Sequence, residues 1–180
     1  MAPLSGPAPT AHQHAPLIVT AALDKTAFAF FDTQRRRHFP PARNQLTAHL
    51  TLFHALPPSQ AADIIARLKL LTRGEPPIPA EATGLINLGG GVAYRIHAPA
   101  LDRLREALVD AWLPLLSAQD RSGFRPHITI QNKAKPAEAK ALVAALTATF
   151  TPIRFTITGL DLWHYLGGPW AAAANCRFQP

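Results

Sequence analysis

One short pattern occurs twice in this chain. His49-Leu50-Thr51-Leu52 and His127-Ile128-Thr129-Ile130 both read histidine, hydrophobic, threonine, hydrophobic. On a strand, side chains two apart project from one face, so each pattern sets an imidazole beside a hydroxyl. The surroundings repeat as well. A proline stands nine residues after each histidine, at Pro58 and Pro136, and an Ala/Leu-rich helical stretch follows each. An upstream strand ends about thirty residues before each histidine, near Thr20 and His97. Matched layout of this kind marks a duplicated unit, two halves about a pseudo-twofold axis. That symmetry brings equivalent strands together and restricts the folds open to the chain.

Hydrophobic periodicity and turn residues fill in the halves. Strands are expected over 15–23 and 48–56, separated by a helix that Asp24 caps and Pro40 and Pro41 end. A helix begins at Pro58 or Ser59 and stops at Gly74. Two strands then meet at a Gly89-Gly90-Gly91 turn. The second half continues with a helix over 100–116, a strand from Pro126, a helix from Pro136 and a final strand pair. The fold class is α+β: a two-lobed duplicated fold, antiparallel sheets with flanking helices around a central groove carrying the two H-x-T-x strands. The expected organisation is a flexible N-terminal tail over 1–14 and a single bilobal domain over 15–180. Its pseudo-repeats span about 15–90 and 91–180.

Composition narrows the function classes. Hydrophobic residues make up 48% of the 180, enough for a sizeable core. Lys and Arg number 18 against 11 Asp and Glu, a formal charge of +7 that suits an anionic partner. The single cysteine, Cys176, allows neither an intramolecular disulfide nor a thiolate zinc cluster, in keeping with a cytoplasmic location. No window approaches the ~20 apolar residues of a membrane span. The N-terminal residues lack the pattern of a signal peptide. The glycine run lacks the spacing of a nucleotide-binding loop, and no G-x-S-x-G serine-hydrolase element occurs.

Two histidine–threonine pairs facing one cleft have a specific chemical use. With an unperturbed pKa of ~6.5, one imidazole can be neutral while the other is protonated near neutrality. One ring then takes a proton from an attacking oxygen and the other gives one to a leaving oxygen on the far side of a phosphorus. The threonine hydroxyls donate to the non-bridging oxygens, whose charge grows in the transition state. No cofactor or metal enters this scheme.

The two motifs, His49 to Leu52 and His127 to Ile130, resemble the double H-x-[ST]-hydrophobic signature of the 2H phosphoesterase superfamily. The chain is most similar to its 2'-5' RNA ligase-like branch, which includes the RNA 2',3'-cyclic phosphodiesterases. The resemblance runs from about Leu17 to Phe178. It implies metal-independent hydrolysis, or reversible ligation, of cyclic or 2',5' phosphodiesters of RNA or small nucleotides. A monomer away from membranes is expected. Carried over, His49 and His127 are the acid/base pair, with the base role leaning to His127, and Thr51 and Thr129 are phosphate ligands. In many relatives a basic residue follows the second motif; here Gln131 and Asn132 precede Lys133, and Phe53 and His54 follow the first.

Further substrate-binding candidates lie around the motifs. Arg43 and Arg125 stand in the loops entering them, and Lys133 follows the second. By alternation Phe53 shares the face of His49, where it stacks on a base or lines the groove, while His54 points away in a structural role. Tyr165 is the candidate base platform; Tyr94, Trp163 and Trp170 read as core aromatics. The Arg35-Arg36-Arg37 run reads as a solvated helix end complementing the dipole. Two other functions fit the same residues. One is a nucleotide- or RNA-binding module that does not turn its ligand over. The other is a zinc hydrolase using His49, His54 and His127.

Overall fold

In the computed structural model, residues 14–179 are described. The tail expected over 1–14, including His12, lies outside them apart from His14. Seven strands form one antiparallel sheet: β1 (Leu17–Leu23), β2 (Leu50–Leu56), β3 (Ile78–Asn87), β4 (Val92–His97), β5 (His127–Gln131), β6 (Ile153–Tyr165) and β7 (Trp170–Arg177). The helices are α1 (Lys25–His38), α2 (Ala61–Thr72), α3 (Pro99–Trp112), α4 (Ala118–Arg121) and α5 (Pro136–Ala148). Asp24 caps α1 as its position suggests, its carboxylate accepting the Ala27 N–H at 2.9 Å. Pro114 does not kink α3; that helix ends at Trp112 and passes into a 3-10 turn over Leu113–Leu115.

The strand order is β2-β1-β6-β3-β4-β5, with β7 added to the outer part of β6. Exchanging β1, β2 and β3 with β4, β5 and β6 returns the same order reversed. The strands of the two lobes are therefore one continuous sheet, joined where β3 pairs with β6. At its ends stand β2 and β5, the strands that carry the two motifs. The sheet curves enough to bring them close to each other although they do not pair. Its buried face packs on the helices through Leu50, Leu52, Ile128 and Ile130 from the motif strands, with Phe31, Ile64, Leu101 and Leu108 from α1, α2 and α3. At the β3–β4 turn Gly91 is required by space: a Cβ there would lie 2.1 Å from the Gln131 carbonyl oxygen at the end of β5.

Candidate active site

Each motif strand carries a bulge at the same place. Thr20 pairs with Thr51 but Val19 with Phe53, so Leu52 is an extra residue in β2. Ala93 pairs with Thr129 but Val92 with Gln131, so Ile130 is extra in β5. A bulge reverses the side-chain alternation beyond it. The consequence in β2 corrects two expectations. Phe53 turns inward and is fully buried against Trp112 at 5.2 Å, so it neither lines the groove nor meets a base. His54 turns outward, onto the face of His49 and Thr51.

A bulge also takes carbonyls out of the ladder, and buried carbonyls need donors. Two arginines supply them, each from the opposite half. From α1, Arg35 Nη1 donates to the Thr129 carbonyl at 2.9 Å, and its Nε to the Leu46 carbonyl and Asn44 Oδ1. From α3, Arg105 Nε donates to the Leu52 carbonyl at 3.0 Å and Nη2 to the Asp120 carbonyl at 2.7 Å. Arg35 is 4% exposed, so the basic run of α1 is not simply a solvated face. Burial lowers its pKa to about 10, which leaves it a cation. Arg36 pairs with Asp32, whose other oxygen accepts the N–H of Ala48 beside His49.

The four motif side chains line one groove of about 160 Å³, together with Ile18, His54 and Trp170. Both imidazoles are held alike. His49 Nδ1 lies 2.8 Å from the Thr47 carbonyl and His127 Nδ1 lies 2.8 Å from the Arg125 carbonyl. A carbonyl only accepts, so each Nδ1 carries a hydrogen and each Nε2 is left for chemistry. The rings differ in their cover. Trp170 lies against His49 with centroids 4.7 Å apart. Burial lowers the His49 pKa to about 4; the Thr47 hydrogen bond opposes this, and the charges of Arg35, His127 and His54 add to it.

The remaining candidates divide. Arg43, Lys133 and Tyr165 join Arg35, His49 and Thr129 around a cavity of about 410 Å³ that opens beside the groove. Arg43 Nη1 also donates to the Lys133 carbonyl at 3.3 Å. Arg125 has an exposed side chain and contributes its carbonyl to His127. A second cavity of about 410 Å³, walled by Phe28, Trp163 and Trp170, meets His49 from the other side. Tyr94 is a core residue packed on Phe31. Trp170 is not: it covers His49 and borders the groove, although its sequence reads as ordinary strand aromatic. Among the described residues no three His, Cys, Asp or Glu side chains are grouped to hold a metal ion. Nor is any helix among them long and apolar enough to cross a membrane.

Residues 23–169 match the 2'-5' RNA ligase superfamily in sequence. No curated protein matches the chain. Its fold is similar to that of TT0787 of Thermus thermophilus, at 20% identity and a TM-score of 0.64, covering 91% of this chain and 97% of that one. It is also similar to Escherichia coli LigT complexed with 3'-AMP, at 18% identity and a TM-score of 0.61 over 92% and 99%. A protein described as a phosphoesterase, at 18% identity, gives a TM-score of 0.60 over the same shares.

Proposed function

The chain belongs to the 2'-5' RNA ligase superfamily, and from that premise we propose that it is a metal-independent phosphodiesterase. Its substrates are RNA or nucleotides bearing a 2',3'-cyclic phosphate or a 2',5' linkage. The domain is the bilobal unit over 15–180 with repeats about 15–90 and 91–180, a reading supported by the reversible strand order. The observation that carries the proposal is that His49, Thr51, His127 and Thr129 border one cavity of about 160 Å³.

The asymmetry of cover supports a division of roles. A ring with a pKa near 4 is neutral at pH 7 and offers the Nε2 lone pair. His49 is therefore the base that takes the proton of the attacking water, or of an attacking hydroxyl in the reverse, ligating direction. His127 Nε2–H protonates the leaving oxygen. On this proposal His49 takes the base role that the sequence leans toward giving His127. Thr51 and Thr129 donate to the non-bridging oxygens from opposite sides. The basic cavity of Arg43, Lys133 and Tyr165 takes the attached nucleotide, and LigT, which binds 3'-AMP, shares this fold. The test is hydrolysis of nucleoside 2',3'-cyclic phosphates in EDTA. Turnover with retention of activity in EDTA is expected. No turnover on any cyclic or 2',5' substrate, or activity restored only by a divalent metal, contradicts the reading.

A further inference from the structure

The groove between the motif strands contains a third imidazole. His54 borders it with His49, Thr51, His127 and Thr129. Its Nδ1 lies 3.0 Å from Asp120 Oδ1, with the His54 side chain 45% exposed and that of Asp120 fully buried. The Asp120 carboxylate is fixed from several directions. It accepts the backbone N–H groups of His54 and Ala55 at 2.8 and 3.1 Å and the Ser117 hydroxyl at 3.0 Å. Burial alone would raise its pKa; the hydrogen bonds, that of the His54 ring foremost, outweigh it and hold the carboxyl below the usual carboxylate range.

Two features separate this pair from a merely structural contact. Asp120 already docks on β2 through two main-chain N–H groups, so the attachment does not need an imidazole at position 54. Among the described residues that line the groove there is no lysine or arginine, although a phosphoryl group entering it brings negative charge. The matching position of the second half, five residues after the histidine, is Asn132, which borders the neighbouring cavity instead.

We infer that His54 is a phosphate-contacting residue, which rests on the function proposed above. With Nδ1–H donated to Asp120, Nε2 is the ring atom left for the groove. The Asp120 carboxylate behind the ring fixes it, and a phosphoryl oxygen before it is the acceptor for a hydrogen carried by Nε2. His54 then donates a charge-assisted hydrogen bond to a non-bridging oxygen, on the His49 side only. It adds a donor on the β2 side that has no counterpart on the β5 side, which gives a nearly symmetric site a direction.

Inorganic phosphate is the probe. In protein labelled with 15N-histidine, saturating phosphate moves the Nε2 resonance of His54 toward its protonated position, along the same binding curve as those of His49 and His127. A hydrogen bond to a charged group contributes about 1.5–3 kcal/mol, so His54→Phe weakens phosphate about tenfold or more. A phosphate affinity within twofold of wild type in a folded His54→Phe protein overturns the inference. So does a His54 ring that stays unmoved while His49 and His127 respond. If phosphate moves none of the three, the function proposed for the groove fails with it.

Discussion

The strands β2 and β5 are built to one plan and finished differently. In both, the histidine Nδ1 is fixed by a carbonyl two residues back, a bulge follows the threonine, and a buried arginine crosses from the other half to a carbonyl freed at that bulge. Such matching holds two imidazoles and two hydroxyls at equivalent places. It cannot by itself say which oxygen enters and which leaves. The differences do that. Trp170 covers His49, and His54 backed by Asp120 stands only on the β2 side. Under the proposed function, the shared plan receives the phosphoryl group and the departures from it give the reaction a sense.

Substitutions in pairs test how far the match goes. His49→Ala and His127→Ala each lower kcat by about 10²-fold or more, as loss of a general acid or base does. The double variant is little worse than either, because the two act as a unit. A single variant retaining the full rate breaks the comparison at its centre. Thr51→Val and Thr129→Val each lower kcat by about 10²-fold, the effect of removing one preorganised donor. A large effect from one and none from the other means the phosphoryl group sits against a single strand. Arg35→Leu and Arg105→Leu each cost about 1–3 kcal/mol of stability in chemical denaturation, the penalty for stranding a buried carbonyl. Arg35 shows the larger loss, because three acceptors depend on it.

The smallest change sharpens the difference between the halves. A base must be neutral, so kcat/KM falls as pH drops through the His49 pKa, near 4. Burial depresses that value, so Trp170→Ala, which uncovers the ring, moves the acid limb upward toward ~6.5, the ordinary imidazole value. A limb that stays in place assigns the base role to another group.

How much of this was legible in the sequence depends on how local the signal is. The motifs, the turn at Gly89-Gly90-Gly91, the Asp24 cap and the order of elements follow from spacing and residue type within one segment. The bulges do not, because Leu52 and Ile130 become extra residues only against the register of β1 and β4. That one unseen shift exchanged the expected places of Phe53 and His54. Arg35 looked like part of a surface run because its acceptor, the Thr129 carbonyl, is 94 residues away. Trp170 looked like core because the ring it covers belongs to another strand. Arg43, Lys133 and Tyr165 converge on one cavity only through the packing of three separate loops and strand ends.

The most direct measurement is a crystal structure of the protein soaked with a nucleoside 3'-monophosphate. The expected position of the phosphate is between the two motif strands. There His49 Nε2 and His127 Nε2 lie on opposite sides of the phosphorus, each about 2.6–3.2 Å from an oxygen, with Thr51 and Thr129 on the others. A phosphate seated elsewhere on the protein, or touching only one of the two rings, contradicts the account.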